Sequence, residues 1–415
     1  MTDKQIDKHI PRLRFPEFQC EGEWRMLKLR DVVSIVNDRS SVEDINIRSY
    51  ISTENMLPDF SGVKEATKLP ATGAFTRFKE NDILFSNIRP YMKKVWRATF
   101  AGAVSNDILV FRTLADFDNC FVSQIIMSEE FISYTMVGAK GVKMPRGDKN
   151  MMLDYDVFIP PLPEQKKIAK TLSGLDELIK ASNKKIEKLK AHKKSLMQKL
   201  FPQNSKTVPE YRFPEFEKDE AWTEKRLGDF LKVRSGYAFK SNTYITSGKF
   251  KIVTIRNVKK GRMEMGEYNT INTLPIDIQS HQILKRGNIL VSMTGNVGRV
   301  CKVDCDNCLL NQRVGLIEKH TTTIDEDFVF TILTDACFEQ AMIESGQGAA
   351  QANIGNKDIE DYGFLCPPSL NEQNQIASCL SPIESLTNYY MDKVSLLEQF
   401  RVGLIQQLFP KQQAL

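Results

Sequence analysis

The sequence predicts an α+β fold in which two β-rich globules alternate with two long helices that pair with each other as a coiled coil. Three observations carry this prediction. One heptad seam runs through residues 164–202, a second runs through residues 372–410, and the segments before the two helices share short motifs at matching positions. The chain therefore has the order globule–helix–globule–helix, which is an internal repeat.

The first helix is predicted from apolar residues that recur at alternating spacings of three and four. The seam consists of Ile168, Leu172, Leu175, Ile179, Ile186, Leu189, Leu196 and Leu200, with gaps at Ser182 and Lys193. At a rise of about 1.5 Å per residue, the helix is roughly 55 Å long and cannot bury this seam inside one small domain. We therefore expect a partner helix, the alternative being a linker helix that lays its apolar stripe on its own domain.

The partner helix lies in the same chain, at residues 372–410. Its apolar seam consists of Ile376, Leu380, Ile383, Val394, Leu397, Leu404 and Leu408, with Thr387, Tyr390 and Arg401 at the remaining seam positions. Each helix follows a double proline and a Glu-Gln pair, and each ends on Leu-Phe-Pro. Proline fits the entry to a helix and stops its end, so the two segments share a start, a seam and a stop.

Composition and length limit the class of protein. A chain of 415 residues with 41% hydrophobic and 26% charged residues is expected to form two or three ordinary globular domains. No apolar run approaches the roughly 18 residues of a membrane span, and the N-terminus lacks the apolar core of a secretory signal. The eight cysteines form no evident disulfide framework, which fits a reducing cytoplasm, where we expect the protein to reside.

The net charge is unevenly distributed. Residues 164–202 contain eleven Lys and four acidic residues, a net charge of +7, so the rest of the chain sums to −2 within a total of +5. A basic helix on a nearly neutral chain indicates a local surface for a polyanion or an acidic partner. A solvated lysine face is the alternative.

Shorter motifs extend the repeat into the globules. Arg-Phe-Pro-Glu-Phe occurs at residues 14–18 and again at 212–216, and Trp24 and Trp222 keep the same offset. Because the motif recurs intact, we expect it to pack and to pin the start of each globule, although a surface loop is the alternative. Matching pairs also occur at residues 53–55 and 255–257, and at 154–155 and 361–362.

β-Branched, turn-bounded stretches predict strands within the globules. They are residues 31–36, 82–85, 107–111, 288–291 and 313–317. The predicted organisation is a first globule at 1–163, a helix at 164–202, a linker at 203–209, a second globule at 210–371 and a second helix at 372–415.

The usual catalytic motifs are missing. The sequence has no G-x-x-x-x-G-K-[ST] phosphate loop, no G-x-G-x-x-G and no [DNS]-P-P-[YFW] element, and its four histidines are widely spread. We therefore assign no catalytic residue and no metal site. Cys301, Cys305 and Cys308 have part of a zinc-ligand spacing, but free thiols at a hairpin are the favoured interpretation.

Both globules contain polar, basic loops with glycine. Arg, Lys, Asn and Gln form bidentate contacts with base edges, and Lys and Arg hold phosphates. Each loop alone is compatible with simple solvation, and their placement in two diverged globules favours DNA binding. The candidate DNA-binding residues are Asn87, Arg89, Lys93, Lys94, Lys143, Arg146, Arg234, Tyr237, Arg256, Lys259, Asn296, Arg299, Gln347, Gln351 and Asn353.

Taken together, these motifs resemble the specificity subunits of type I DNA restriction–modification systems. The resemblance covers essentially the whole chain and rests on the two RFPEF starts, the D-I-L-x-S and N-I-L-x-S strands, the P-P-x-x-E-Q and P-P-x-x-x-E-Q openings and the two L-F-P closings. It implies two target recognition domains that each read half of a split, asymmetric sequence in double-stranded DNA. It also implies two helices packed antiparallel as a spacer, with the two halves of the chain related by an approximate two-fold axis.

The resemblance also implies partners. Two modification subunits would bind S-adenosylmethionine and methylate adenine, and restriction subunits would use ATP and Mg for translocation and cleavage. The chain itself would be non-catalytic and would hold no cofactor. Two rival functions are a stand-alone coiled-coil interaction protein without a DNA role and a nuclease, for which the sequence offers no clustered acidic and lysine site.

Overall fold

The computed structural model describes residues 9–41, 43, 45–73, 75–203, 206–264, 266, 268–346 and 352–410. The chain divides into two compact units. The first unit contains Met1–Lys180 and Ser395–Leu415, and the second contains Ala181–Val394. Each unit therefore combines one globule with the beginning of the helix that follows it and the end of the other long helix.

The first unit is built from short strands and three short helices before its long helix. The strands are β1 (Arg25–Lys28), β2 (Val33–Ile35), β3 (Arg39–Ser40), β4 (Tyr50–Ile51), β5 (Phe75–Phe78), β6 (Ile83–Ser86), β7 (Val95–Arg97), β8 (Gly102–Val104), β9 (Ile108–Thr113) and β10 (Asp156–Ile159). The helices are α1 (Asn119–Ile126), α2 (Glu129–Val137), α3 (Lys149–Leu153) and the long α4 (Leu162–Leu200).

The sheets of the first unit enclose cores on both faces of one strand. One sheet has the order β2-β9-β6-β7, a second has the order β3-β5-β8-β4, and β1 pairs with β10. Ile83 and Phe85 on β6 belong to the core that contains α1 and α2, whereas Leu84 belongs to the core beside the second sheet. Because both faces of β6 are covered, its residues form a continuous apolar run.

The second unit repeats this plan. Its strands are β11 (Thr223–Arg226), β12 (Leu231–Ser235), β13 (Phe250–Val253), β14 (Val258–Lys259), β15 (Arg262–Met263), β16 (Asn269–Ile271), β17 (Ile283–Leu284), β18 (Ile289–Ser292), β19 (Val300–Lys302), β20 (Cys308–Leu310), β21 (Val314–Lys319) and β22 (Gly363–Cys366). Its helices are α5 (Glu326–Leu333), α6 (Ala336–Ser345), α7 (Asn356–Glu360) and the long α8 (Leu370–Leu408).

Strand order confirms the repeat. The sheet β12-β21-β18-β19 matches β2-β9-β6-β7, and β11 pairs with β22 as β1 pairs with β10. In β18, Ile289 and Val291 face the core with the helices and Leu290 faces the other core, as in β6. The five strand stretches expected from the sequence all fall on strands, namely β2, β6, β9, β18 and β21.

Both long helices have 39 residues and begin and end two residues earlier than the seam segments 164–202 and 372–410. Residues 411–415, which were assigned to the second helix, lie outside the described residues. Pro163 lies in the first turn of α4, where its missing N–H has no intrahelical partner to lose. Pro202 and Pro410 follow the last helical residues at a distance of two, because the residue before a proline is disfavoured in the helical conformation.

Within each unit the two long helices run antiparallel. In the first unit, Ile168 and Leu172 of α4 share a core with Leu404 and Leu408 of α8. In the second unit, Leu196 and Leu200 of α4 share a core with Ile376 and Leu380 of α8. Every apolar seam position expected from the sequence is buried or half-buried.

Two seam positions that lack an apolar residue carry ion pairs. In the second unit, Lys193 Nζ donates to Glu384 Oε2 at 2.6 Å, with both side chains less than one-fifth exposed. In the first unit, Arg401 Nε donates to Asp176 Oδ1 at 2.5 Å and Arg401 also reaches Gln124. Lys193 and Arg401 therefore have partners on the facing elements.

The RFPEF motif has the packing role expected of it. Arg14 donates through Nε and an Nη to the carboxylate of Glu164 at 2.8 and 2.7 Å, and both side chains are almost fully buried. Arg212 makes the same bidentate contact with Glu372 at 2.8 and 2.8 Å. Each motif thus joins the first residues of a globule to the first turn of the helix that closes it.

The glutamines next to those glutamates also have matching roles. Gln165 accepts from the Asp118 backbone N–H and donates to the Pro160 carbonyl. Gln373 accepts from the Asp325 backbone N–H and donates to the Pro367 carbonyl. The Glu-Gln pair therefore fixes each long helix to its own globule.

The cysteine cluster differs from the sequence expectation. Cys305 and Cys308 form a disulfide, whereas free thiols were expected at all three positions. The turn between them, with Asn307 in the left-handed region at φ 57°, places their Cα atoms 6.5 Å apart, within reach of a disulfide. The expected hairpin is not formed, since β19 and β20 belong to different sheets. Cys301 keeps a free, buried thiol, and burial raises its pKa to about 12.

Among the described residues, no helix combines the length and apolarity needed to cross a bilayer.

Candidate nucleic-acid interface

Two loops of the first globule are braced against each other by backbone hydrogen bonds. Arg89 N–H donates to the Pro145 carbonyl at 2.8 Å, and Gly147 N–H donates to the Asn87 carbonyl at 3.3 Å. Lys140 and Arg146 exchange two backbone hydrogen bonds, each of 2.9 Å. The loops at residues 86–94 and 138–147, treated as separate segments in the sequence, therefore form one surface, which we call the first loop pair.

The second globule brings together two loops in the same way. Gly295 N–H donates to the Ala352 carbonyl at 2.8 Å, and Ile354 N–H donates to the Met293 carbonyl at 3.0 Å. Thr294 Oγ1 also donates to Asn353 Oδ1 at 2.9 Å. The loops at residues 292–299 and 352–354 form the second loop pair.

The serine that ends each central strand anchors these loops. Ser86 N–H donates to the Lys94 carbonyl at 3.0 Å and Ser292 N–H donates to the Arg299 carbonyl at 2.9 Å. Their hydroxyls donate into the loops, to the carbonyls of Ile88 and Asn296. The serine of the I-L-x-S motif thus closes the loop that follows its strand.

The two anchored loops differ in backbone composition. Arg89 and Lys93 occupy the left-handed region at φ 51° and 53°, whereas Gly295 and Gly298 occupy it at 74° and 77° in the second globule. Left-handed backbone is unfavourable for residues other than glycine and persists only where the surroundings hold it. The first loop therefore presents an arginine at a strained position where the second loop has a glycine.

The first loop pair is electropositive. Burial, and then the neighbouring charges of Lys64 and Arg89, lower the pKa of Lys94. Lys94 Nζ donates to the Thr53 carbonyl rather than to a carboxylate. The two loops contain six Lys and Arg residues and no acidic residue of their own, as expected for a surface that meets phosphates. The acidic partners of Lys93 and Arg146 lie outside the loops.

Two buried polar atoms of this loop pair have no hydrogen-bond partner within the part of the chain that the structure describes. They are Asn87 Oδ1 and Arg89 Nε. A buried donor or acceptor without a partner is costly. Both atoms belong to residue types that pair with base edges.

Several candidate cations are paired with exposed carboxylates. The pairs are Lys93–Glu129, Arg146–Asp107, Arg234–Glu318, Lys259–Glu264 and Arg299–Glu339, with N···O distances between 2.5 and 3.7 Å. Exposed pairs of this kind contribute about 0–1 kcal/mol, so a phosphate can replace the carboxylate at little cost.

The remaining candidates lie partly in the two loop pairs and partly on other surfaces. Tyr237 donates its hydroxyl to Asp277 at 2.8 Å, and that hydrogen bond raises the pKa of Tyr237. Arg234 lines an open groove of about 800 Å³. Arg256 and Lys143 are exposed, Asn296 is exposed in the second loop pair, and Gln347 and Gln351 lie outside the described residues.

Part of one predicted loop has a structural role instead. Lys260 pairs with Glu339 on α6, and Arg262 pairs with Asp392 on α8. The recurring asparagines Asn55 and Asn257 are buried, and their side-chain oxygens accept from the backbone N–H groups of Ser52 and Thr254. These asparagines form turns, which explains why the repeat retains them.

Sequence reasoning did not single out two cations, Lys140 in the first loop pair and Lys64, which lies outside both of its loops. Lys140 is exposed. Beyond burial, the positive charge of Lys64 contributes to the lowered pKa of Lys94. Lys140 lies in a loop whose basic composition is visible in the sequence, and that composition could have identified it as a candidate. The bridge between residues 88 and 146, which joins the two loops, has no sequence signature.

Comparison with known proteins places the chain in a family. The model of the type I restriction modification DNA specificity domain matches residues 21–191 and again 219–394. The MjaVIII type I restriction enzyme specificity subunit of Methanocaldococcus jannaschii is 26% identical over 404 residues, covering 91% of this chain and 89% of that protein. The EcoDI specificity subunit of Escherichia coli is 24% identical over 192 residues, covering 43% and 42% of the two chains.

The fold has a solved counterpart. The crystal structure of the type I restriction–modification S subunit from M. genitalium superposes with a TM-score of 0.70 at 16% identity, covering 97% of this chain and all of that one. The family match spans both halves of the chain, with the two braced loop pairs inside the matched segments. The chain therefore belongs to the type I restriction–modification DNA specificity family.

Proposed function

We propose that this chain is the sequence-reading subunit of a type I restriction–modification complex, and that each globule reads one half of a split DNA target. The main observation in support of this proposal is that both globules form the same braced loop pair with different side chains. Asn87, Arg89 and Arg146 stand where Met293, Gly295 and Asn353 stand in the second globule. One frame filled with two sets of residues favours an asymmetric target.

The division of contacts follows from the chemistry of the loops. Arginine and asparagine make bidentate contacts with guanine and adenine edges in the major groove, whereas lysines hold phosphates. Arg89 and Asn87 are the proposed base readers of the first loop pair. Lys93, Lys94, Lys140 and Lys143 are the proposed phosphate contacts. In the second loop pair, Asn296, Arg299 and Asn353 take the reading role.

The long helices are proposed to act as the spacer between the half-sites. Half-sites read by one protein are commonly separated by about one helical turn of DNA or a multiple of it. The buried contacts Arg14–Glu164 and Arg212–Glu372 support this role, since they tie each globule to the beginning of a long helix. The uncontacted length of the target would then follow from helix length.

Partner subunits are proposed to supply the chemistry. Two modification subunits would bind S-adenosylmethionine and methylate adenine, and restriction subunits would bring ATP and Mg for cleavage. Large apolar side chains exposed along α8 support a protein partner at the helices, because exposed apolar surface of this kind marks interfaces. They are Leu386 and Tyr389 in the second unit, and Leu396 and Phe400 in the first.

Methylation mapping tests this proposal. The chain should be co-expressed with the modification subunit from the same source, and methylated adenines should be located by single-molecule sequencing of the host DNA. We expect one bipartite, asymmetric motif that disappears when this chain is omitted. A motif that persists without this chain would contradict the proposal.

A cofactor measurement complements the mapping. By calorimetry, the isolated chain is expected to bind no S-adenosylmethionine, because it lacks a cofactor loop and a base-holding element. Binding of the cofactor, or metal-dependent cleavage of DNA by the isolated chain, would contradict the assignment as a non-catalytic reader.

A further inference from the structure

We propose that the tip of the first loop pair is an apolar wedge that enters the base stack of DNA at one half-site. The wedge consists of Val142 and Met144, at the end of a hairpin held by the Lys140–Arg146 backbone pair. This inference rests on the proposed function and assigns to the first globule a role in DNA distortion that the second globule lacks.

The apolar tip of the hairpin is exposed to solvent. Val142 has a relative accessible surface of 104%, and Met144 one of 49%. Gly141 turns the chain at φ 102°, a left-handed value that a side chain at this position would not tolerate. The turn leaves the Val142 side chain fully exposed to solvent.

Hydrogen bonds hold the base of the hairpin. The Lys140 and Arg146 hydrogen bonds close the hairpin, and the Pro145 carbonyl accepts from Arg89 on the neighbouring loop. Arg146 also donates to the Asp107 carboxylate at 2.9 Å. A tip braced at its base is suited to insertion, because little conformational freedom remains to be lost on binding.

Cationic side chains surround the apolar tip. Lys140 and Lys143 are exposed on either side of Val142, and Arg146 follows at the base of the hairpin. A ligand for this arrangement needs an anionic surface and a flat apolar interior beneath it. A DNA base step fits, since phosphates flank it and its stacked faces accept apolar side chains that unstack and kink the duplex.

The two globules differ in sequence at the position of the tip. In the sequence, Gly348-Ala349-Ala350-Gln351 of the second globule aligns with Gly141-Val142-Lys143-Met144 of the first, although those four residues of the second globule lie outside the described residues. Alanine is too small to open a base step. We therefore expect distortion in one half-site only, at the position read by the first globule.

The test uses this chain assembled with its modification subunits and a duplex carrying the mapped target. 2-Aminopurine is placed in turn at each half-site, away from the methylated adenine, so that its fluorescence reports unstacking. The wild-type complex is expected to raise the fluorescence several-fold in one half-site. Val142→Ala with Met144→Ala should abolish that rise and weaken binding about tenfold.

Two variants separate apolar insertion from charge. Val142→Leu should retain the fluorescence rise, because an apolar wedge of larger volume remains. Lys140→Ala with Lys143→Ala should weaken binding and flatten its salt dependence while leaving a fluorescence rise on saturated DNA. In contrast, the double alanine variant of the wedge should keep the wild-type salt dependence.

Three outcomes would overturn the wedge. They are an unchanged affinity and fluorescence in the Val142→Ala, Met144→Ala variant, an equal rise in both half-sites, and loss of co-purification with the modification subunits, which would assign the tip to a protein contact. Failure of the proposed function is distinguishable from these, since the wild-type complex would then show neither sequence-specific binding nor methylation.

Discussion

At the scale of single residues, the fold depends on charges that the chain removes from water. The Arg14 and Glu164 side chains are 6% and 0% exposed, and Arg14 also donates to the backbone carbonyls of Glu21 and Gly22. A buried ion pair is tolerable only when its geometry is good and its remaining donors are satisfied. Both conditions hold here, so one contact fixes the N-terminal segment, the first turn of α4 and the globule together.

Breaking this pair should be costly. Arg14→Met leaves the Glu164 carboxylate buried without its partner, and we expect the unfolding free energy of the first unit to fall by about 3–5 kcal/mol. Urea unfolding followed by tryptophan fluorescence measures the effect, because Trp24 lies in the same core. Arg30→Met is the matched control: its pair with Asp154 is half-exposed, and its loss should cost less than about 1 kcal/mol. Equal effects of the two variants would contradict the anchoring role.

Base reading at the first loop pair gives a second prediction. Arg89→Ala should cost about 1–3 kcal/mol in binding and relax one base position of the target, because a bidentate arginine discriminates at a single base. The readout is the methylated motif of the complex, together with affinity for duplexes substituted at each position. Lys184→Ala, on an exposed face of α4, should instead weaken all sequences alike and make the salt dependence shallower. Full specificity in the Arg89→Ala complex would remove this residue from the readers.

Residue roles were the least predictable level. The recurrence of Arg14, Glu164 and their counterparts was visible in the sequence, but their bidentate contact was not, since 150 residues separate the partners. Asn257 was part of a repeat mark, and its role as a turn residue needed the backbone of residues 254–257. The disulfide between Cys305 and Cys308 was missed because a spacing alone does not distinguish a turn that joins two sulfurs from one that separates them.

At the scale of elements, the long helices are divided between the two compact units. The beginning of α4 packs with the end of α8 in the first unit, and the end of α4 packs with the beginning of α8 in the second. The heptad seams predicted the two helices and their pairing, because apolar spacing reports which face is buried, whereas their antiparallel direction was an expectation from the family resemblance. It did not predict the ion pairs Lys193–Glu384 and Arg401–Asp176, which need the register of two facing helices.

Hydrogen exchange tests this division. Leu172→Ala removes a fully buried seam residue and should lower stability by about 2–5 kcal/mol. Because Leu172 shares its core with Leu404 and Leu408, the end of α8 should exchange faster, together with α1 and the strands of the first unit. Leu178→Ala, at a position 54% exposed, should leave exchange unchanged. Protection retained at residues 404–408 in the Leu172→Ala variant would contradict the shared core.

At the scale of the whole molecule, the repeat separates what is kept from what has changed. The strand order of the central sheets, the buried Arg–Glu contacts, the Glu-Gln helix starts and the loop-anchoring serines recur in both halves. The side chains on the loop pairs do not. Such a chain suits two independent recognition globules on one shared scaffold of sheets and helices. Replacing one globule with that of a family member tests this directly.

The decisive measurement is the methylated sequence of a chimera in which residues 210–366 are replaced by the corresponding segment of a family member. The donor segment should carry an arginine at the position of Arg212, so that the contact with Glu372 is retained. Single-molecule sequencing of DNA modified by the assembled complex is expected to show one half of the target changed, with the other half and the spacer length identical to those of the parent. A change in both halves, or in the spacer, would contradict the model of two independent readers.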